Sequence, residues 1–254
     1  MLHTSRSRVS KALLAISLLI SPLAGCSRHP KANELAQIKK LGGEVVIDPA
    51  DNSVAKVWLT QPNIVDDDLV CVSRLPRLRE LYLSGSQLTD DGLKHLAGLA
   101  ALVRLDLFHT QIDDAGFASL AKLKTLERLG LGNTNISDAG MPTLKFFPQL
   151  RELYLSDTKV TDAGMDYVAP LTRLRQLDLI NTKVTSAGLE RLGGLTVLEK
   201  LGLEGCLVDD RAMETIKGFK RLKHLDLSRT RISREGADAL RKALPNAKVY
   251  WKPI

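Results

Sequence analysis

Residues 150–173 read LRELYLSDTKVTDAGMDYVAPLTR, and the leucine spacing of this stretch recurs along most of the chain. Leu153 and Leu155 are two residues apart, the period of a strand, whereas Leu93, Leu96 and Leu99 of an earlier block recur every three, close to the period of a helix. A fixed period of this length predicts an α/β solenoid in which each strand–turn–helix coil packs on its neighbours. Seven consecutive blocks open on leucine, at positions 78, 102, 126, 150, 174, 198 and 222.

Polar and small residues mark where the helix of each block should begin. The twelfth residue of every block can accept a hydrogen bond from the free amides of a first helical turn, and the aspartate that follows in most blocks suits the positive helix end. A glycine in the first turn costs roughly 0.5–1 kcal/mol against alanine, so we expect the helix start to pack closely on the neighbouring coil. The fifteenth residue of a block is this glycine in every block except one, where it is Ala212. The twelfth residues are Thr89, Asp113, Ser137, Thr161, Thr185, Asp209 and Ser233.

The ninth residue of each block is a small polar residue just after the strand. We expect it to point inward and to form a ladder whose hydroxyls satisfy the backbone of the turn in the next coil. The members of this ladder are Ser86, Thr110, Thr134, Thr158, Thr182, Cys206 and Thr230.

These blocks resemble the leucine-rich-repeat family, and within it the 24-residue bacterial type L-x-x-L-x-L-x-x-T-x-[IV]-T-D-x-G-L-x-x-L, over residues 54–254. The resemblance implies a right-handed, horseshoe-shaped solenoid with a concave parallel sheet and convex helices. The expected solenoid has seven regular coils, a degenerate N-terminal coil and terminal caps. The resemblance extends to internalin-like bacterial surface proteins and to the repeats of F-box substrate receptors, although no F-box motif precedes the repeats here.

The flanks of the repeats predict two caps, because the ends of an open solenoid must be covered. Residues 33–53 should form an N-terminal cap, in which Asn33 caps a helix and Val45 and Ile47 pair antiparallel to the strand at 54–59. The repeats then span residues 54–245, and residues 246–254 supply a closing strand in which Val249 aligns with Leu225.

The N-terminus predicts export and lipid anchoring. Arg6, Arg8 and Lys11 precede an apolar run at 12–20 that is too short for a membrane span, and Leu23-Ala24-Gly25-Cys26 resembles a lipobox. Residues 1–25 are therefore interpreted as a lipoprotein signal peptide, Cys26 as the acylated residue and 26–32 as a short tether. This places the protein on the bacterial cell envelope, at its periplasmic or surface face. Ordinary secretion and an uncleaved N-terminal helix remain the alternatives.

Charge and chemistry exclude several function classes. Loss of residues 1–25 would lower the net charge from +7 to +4, and the charges of the repeats are mixed in sign, which disfavours nucleic-acid binding. Cys71 and Cys206 lie too many coils apart for a disulfide. His109 and His224 each have an aspartate nearby, Asp106 and Asp226, yet no catalytic or metal-binding motif accompanies them. The sequence predicts no enzyme activity, no cofactor and no metal, and it leaves the oligomeric state open.

Side chains between the leucines of the strands should project from the concave face of the sheet, where a ligand would bind. The centre line runs Trp58, Tyr82, Asp106, Gly130, Tyr154, Asp178, Gly202, Asp226, so the order Tyr, Asp, Gly occurs twice, as duplication of a three-coil block also explains. We expect Phe108 and Ile180 to point to solvent, with low ground at Gly130, Gly132 and Gly202. The predicted partner-binding residues are Trp58, Tyr82, Arg104, Asp106, Phe108, Arg128, Tyr154, Asp178 and Ile180.

This composition of aromatic and arginine side chains favours a membrane-tethered recognition module that binds a protein or peptide on the concave face. One alternative is an envelope scaffolding lipoprotein whose concave face has no dedicated ligand. Another, by family analogy alone, is an adaptor that resembles the F-box receptors.

Overall fold

The computed structural model describes residues 31–253, which form one ten-stranded sheet with helices packed along one of its faces. The strands follow one another in chain order, and from β2 onward each pairs in parallel with the next, 24 residues further along the chain. The strands are β1 Glu44–Ile47, β2 Val54–Trp58, β3 Glu80–Tyr82, β4 Arg104–Asp106, β5 Arg128–Gly130, β6 Glu152–Tyr154, β7 Gln176–Asp178, β8 Lys200–Gly202, β9 His224–Asp226 and β10 Lys248–Tyr250.

Short helices return the chain from one strand to the next. In the block that opens at Leu126 the return is a 3-10 helix alone, Met141–Phe146, with Pro142 in its first turn. The α-helices are α1 Lys31–Lys40, α2 Val70–Ser73, α3 Asp90–Lys94, α4 Asp114–Ser119, α5 Asp162–Val168, α6 Ser186–Arg191, α7 Met213–Gly218 and α8 Arg234–Ala243. Further 3-10 helices span Asp66–Leu69, Leu120–Lys122 and Asp210–Ala212. Within the described part of the chain, none of these helices is long and apolar enough to cross a bilayer.

The leucine columns form one continuous core, as the spacing predicts. Leu153 and its equivalents Leu81, Leu105, Leu129, Leu177, Leu201 and Leu225 are buried, because strand alternation turns them inward between the sheet and the helices. Phe117 and Phe147 fill the wider part of the core in successive coils, with ring centroids 5.9 Å apart. The described residues therefore form the parallel solenoid that the repeat spacing predicts.

In six of the coils an aspartate forms hydrogen bonds to the next coil, which the sequence interpretation missed. Asp162 Oδ1 accepts the backbone N–H of Thr185 at 2.7 Å, and Asp162 Oδ2 accepts the Thr185 hydroxyl at 2.6 Å, so the carboxylate fixes the helix start of the following coil. Asp66, Asp90, Asp114, Asp138 and Asp210 occupy the same place in other coils. Their role is thus a bridge between coils, in addition to any effect on the helix dipole.

The first-turn glycines make room for these aspartates. A Cβ on Gly188 would overlap Asp162 Oδ1, and one on Gly164 would lie 2.7 Å from Asp138 Oδ1, which confirms the close packing that the sequence predicts. At the one alanine, Ala212, the bridging position of the preceding coil holds a smaller side chain, Ser186, whose hydroxyl bonds the Asp209 side chain at 2.7 Å. The two exceptions to the pattern therefore compensate each other.

The ladder of ninth residues is buried, but its hydrogen bonds differ from the prediction. Thr158 Oγ1 donates to Leu155 O at 2.6 Å, three residues back in its own coil, and most other members do the same. The prediction that these hydroxyls bond to the next coil is wrong, because the tight turn brings the carbonyl three residues back in the same coil closer. Cys206 alone crosses between coils, with Sγ 2.9 Å from Leu179 O. Cys71 and Cys206 are both buried and unpaired with each other.

The turns before this ladder contain a residue in the left-handed region in each regular coil. Its φ is 50° at Asn133, 55° at Asp157 and 72° at Gly205. Asn, Asp and Gly adopt this conformation at little cost, so the sequence of these turns fits the backbone they take up. His109, Asn181 and Arg229 share the conformation with φ of 55–56°.

The flanking elements close the two ends of the sheet. β1 pairs antiparallel with β2, with Val45 opposite Val57, and β10 adds in parallel with Val249 opposite Leu225. The described part of α1 already begins at Lys31, so Asn33 lies inside the helix and the predicted cap at Asn33 is wrong. The predicted signal peptide of residues 1–25, the predicted acylation site Cys26 and most of the predicted 26–32 tether lie outside the described residues.

Candidate functional site

The nine predicted partner-binding residues lie on one side of the sheet, most of them on the first five coils. Trp58, Tyr82, Asp106, Gly130 and Tyr154 are successive partners in the strand register, so they form one row across the strands. Each of the nine side chains is partly exposed. The surface is thus available to a partner, and it is also ordered by contacts within the sheet.

The first aromatic pair stands at the N-terminal end of this row. The rings of Trp58 and Tyr82 stack with centroids 5.1 Å apart and 1° between their planes. The Tyr82 hydroxyl donates to Glu80 Oε2 at 2.8 Å, while Lys56 and Arg104 lie 3.1 Å and 4.0 Å from the same carboxylate. Burial tends to raise the pKa of Glu80, but the Tyr82 hydroxyl and Lys56 outweigh it and lower that pKa. The Tyr82 ring is therefore held both by the Trp58 ring and by the Glu80 carboxylate.

A second aromatic cluster is built around the tyrosine–glutamate pair that recurs three coils later. The Phe108 and Tyr154 rings meet edge to face, with centroids 5.9 Å apart and 62° between planes. The Arg128 guanidinium lies 4.9 Å from the Tyr154 ring centroid and 3.0 Å from Glu152, which also accepts the Tyr154 hydroxyl at 2.9 Å. Cation–π and edge-to-face contacts of this kind favour one fixed geometry. The cluster is thus built before any partner arrives.

Glycines beneath the second cluster explain part of the repeated Tyr, Asp, Gly order. A Cβ on Gly130 would lie 2.7 Å from Phe108 Cε2, and one on Gly132 would overlap the same ring. Phe108 remains partly exposed, as predicted, but its ring lies over these glycines and fills the low ground expected at Gly130 and Gly132. Ile180 covers Gly202 in the same way, with Cγ1 3.3 Å from the position of a Cβ. In both cases an apolar side chain gains contact by leaning onto the next coil.

Two aspartates of the row belong to the turns that follow their strands. Asp106 Oδ1 accepts the Phe108 N–H at 3.1 Å, and Asp178 Oδ1 accepts the Ile180 N–H at 3.0 Å. Burial raises the pKa of both carboxyls, and the nearby charges of Asp157, Asp226 and Glu204 raise that of Asp178 further. These aspartates shape the turns that aim Phe108 and Ile180.

A shallow hollow of about 230 Å³ lies on the C-terminal half of the same face. Its lining includes Asp178, Ile180, Gly202, His224 and Asp226. His109 lies elsewhere, in a turn where its ring nitrogen contacts the Asn133 side chain. Across residues 31–253, no group of three or more metal-ligating side chains comes together. The two histidines thus share no site.

Glu80 and Glu152 are the site residues that sequence reasoning missed. They fix both tyrosine hydroxyls and they pair with Arg104 and Arg128, yet their position before the second strand leucine looks like ordinary solvated surface. A signal was present, because LRELYL occurs at 78–83 and again at 150–155 with Glu and Tyr in the same places. Cys26, the predicted lipidation site, lies outside the described residues.

Comparisons with known proteins agree with this architecture. A family model described as Leucine Rich repeat matches residues 75–97, 101–121, 148–169 and 222–240. No curated protein matches the sequence.

Two solved structures illustrate the likeness. Internalin C2 from Listeria monocytogenes superposes with a TM-score of 0.66 at 23% identity, over 78% of this chain and 81% of that one. A leucine-rich-repeat protein of Leptospira interrogans gives a TM-score of 0.56, also at 23% identity, over 71% of this chain but only 50% of that one. At such identity the likeness concerns the fold.

Proposed function

We propose that this chain, which matches the leucine-rich-repeat family model in four repeats, is a membrane-tethered, non-enzymatic recognition module that binds a protein or peptide on its concave face. Leucine-rich repeats are typically protein-interaction modules, which supports the general part of the proposal. The specific part assigns binding to the row from Trp58 to Tyr154 and anchoring to a lipid on Cys26.

The observation that carries the proposal is the pair of preordered aromatic clusters. Trp58 with Tyr82, and Phe108 with Tyr154, are partly exposed yet fixed by stacking and by hydroxyl bonds to glutamate. A surface that is ordered before binding loses less conformational entropy when a partner docks. Tyr, Trp and Arg are also the residue types that most often dominate binding energy at interfaces.

Capture from native membranes tests the concave site. The full chain and its Tyr82→Ala, Phe108→Ala, Tyr154→Ala triple variant are compared, with Lys94→Ala, Glu190→Ala as the matched control on the exposed helix side. If the three rings are anchors, each truncation lowers affinity about thirtyfold or more, so the triple variant loses its partner while the control retains it. Retention of every captured protein by a folded triple variant would refute the concave site.

A separate variant tests anchoring. Cys26→Ser should leave the repeats folded and release the chain from the membrane, because acylation by two chains is sufficient for stable attachment. Fractionation after a carbonate wash reports the result. A serine variant that stays as firmly bound as the parent would show that the lipid anchor is not what holds it.

The second candidate function is a scaffold without a dedicated ligand. The packing of Phe108 on Gly130 and Gly132 favours it, because this part of the aromatic row already has a structural role. Among the glycines of residues 31–253, none would place a Cβ against the rings of Trp58 and Tyr82, so this stack distinguishes the two candidates. Loss of capture on Trp58→Ala, Tyr82→Ala supports recognition, and unchanged capture supports the scaffold.

A further inference from the structure

Positive charge is concentrated on one lateral edge of the solenoid, where each helix returns to the next strand. This helix-to-strand edge consists of the five residues before each block, 73–77, 97–101, 121–125, 145–149, 169–173, 193–197 and 217–221, and of 241–245 after the last helix. Eleven of these 40 residues are Lys or Arg and none is Asp or Glu. The opposite edge, residues 9 to 14 of each block, has nine acidic and five basic residues.

The fold brings these charges together, although they are scattered along the chain. Strands pair with a constant offset of 24 residues from β2 to β9, so equivalent positions of successive blocks stack. Direct contacts confirm the stacking at the edge itself, since Thr125 Oγ1 donates to Leu102 O at 2.7 Å and Arg173 bonds the Gln149 side chain. At about 4.8 Å per strand, the eight loops extend over roughly 34 Å.

Most of the edge cations are free for an external anion. Four of them have an acidic partner within salt-bridge distance, namely Arg74, Arg77, Lys217 and Arg241. Seven have none among the described residues, and all seven are exposed. They are Lys122, Lys124, Lys145, Arg173, Lys220, Arg221 and Lys242.

An aromatic side chain stands among the central cations of this edge. Phe146 is 39% exposed, and Lys145 Nζ lies 5.0 Å from its ring centroid. Lys122 and Lys124 belong to the preceding loop of the same stack. Basic side chains around an exposed aromatic ring match a bilayer interface, where headgroups are anionic and the ring reaches the apolar boundary.

The first turn of α1 also lies beside this edge. Residues 31–253 begin with α1, and Glu34, in its first turn, lies with Oε1 3.7 Å from Nη1 of Arg74, the first cation of the edge. The helix that directly follows the predicted lipid anchor in the sequence therefore begins beside the basic edge. An anchored molecule would bring this edge to the bilayer sooner than the opposite one.

We propose that the helix-to-strand edge docks on anionic phospholipid headgroups and so orients the solenoid on the membrane. Each cation near an anionic bilayer increases partitioning roughly fivefold, and the effect decays within a Debye length. This inference is independent of the concave site, because the two surfaces share no residue. It would leave the concave face beside the bilayer, open to partners.

Vesicle binding tests the proposal with charge-matched variants of the full chain. All carry Cys26→Ser, so that no acylation masks the edge. The edge variant is Lys122→Gln, Lys124→Gln, Lys145→Gln, and the control is Lys159→Gln, Lys183→Gln, Arg231→Gln on the opposite edge, which removes the same charge from exposed positions. Binding is measured by co-sedimentation with phosphatidylcholine vesicles that contain either no phosphatidylglycerol or about 30% of it.

The expected result is that the edge variant loses at least about tenfold in affinity for the phosphatidylglycerol vesicles, while the control stays within about twofold of the parent. Neither variant should differ on phosphatidylcholine alone, and the corresponding Lys→Arg triple variant should bind like the parent. Equal losses in the edge variant and the control would overturn the proposal. It would also be overturned if the edge variant lost affinity for duplex DNA alone, since the partner would then be a polyanion other than lipid.

Discussion

The pairing of Asp162 with Gly188 leads to a prediction in which one substitution changes sign with its background. A glycine-to-alanine substitution in a helix normally raises the free energy of unfolding by about 0.5–1 kcal/mol through helix propensity. Here the new methyl would overlap Asp162 Oδ1, which is itself held by Thr185. Overpacking of this kind costs about 1–3 kcal/mol, so we expect Gly188→Ala to destabilise the parent by about 1–2 kcal/mol.

Asp162→Ser should remove the conflict, because the chain already contains the compensated pair Ser186 with Ala212. The serine alone costs about 1–2 kcal/mol, since a neutral hydroxyl replaces the charged carboxylate that accepts both bonds from Thr185. In that background Gly188→Ala should become stabilising by about 0.5–1 kcal/mol, which gives a coupling free energy of about 1.5–3 kcal/mol between the two positions.

Urea unfolding of the parent, both single variants and the double variant, followed by circular dichroism, measures this coupling. If Gly188→Ala has the same effect in both backgrounds to within about 0.5 kcal/mol, the two sites are independent. That result, or a parent stabilised by Gly188→Ala, would refute the argument that the aspartate bridge imposes the glycine.

Leu153→Ala should cost about 2–5 kcal/mol through lost burial and a residual cavity, whereas exposed Glu190→Ala should stay within about 0.5 kcal/mol; similar urea midpoints would contradict the repeat register. Asp178→Asn should stabilise near neutral pH, because burial raises the pKa of Asp178 in the folded state and its charge therefore opposes folding; the gain should vanish below about pH 3.9, and a gain that persists there would contradict this cause. Gly132→Ala should displace the Phe108 ring at a cost below about 1 kcal/mol, since the ring can swing away, and should change the near-ultraviolet dichroism; an unchanged spectrum would contradict the packing.

Leucine spacing was sufficient to predict the coils, because a period of two and a period of three to four leave distinct marks in one short block. The caps at Thr161 and Thr185 were equally accessible, since only a few residue types satisfy a helix start. Bridges between coils were harder to foresee. Asp162 and Gly188 are 26 residues apart, and their relation is visible in sequence only through the joint exception of Ser186 and Ala212.

The candidate site was predicted in position but not in detail. Alternation of the strands was enough to place Tyr82 and Tyr154 on the concave side, whereas the glutamates that fix their hydroxyls depend on side-chain rotamers. The contact of the Phe108 ring with Gly130 was not predicted, because it forms between coils. The basic edge was hidden for a similar reason, since charges that alternate along the chain are sorted by the solenoid onto different faces.

Site-specific photocrosslinking in native membranes tests the central claim, concave recognition, most directly. A photoreactive phenylalanine analogue replaces Tyr82 in one full-length variant and Glu190, on the exposed helix side, in another. The account predicts that the same discrete protein or peptide adduct forms from position 82 on irradiation and does not form from position 190. Adducts from position 190 alone, or none from position 82 while the parent still captures its partner, would contradict it.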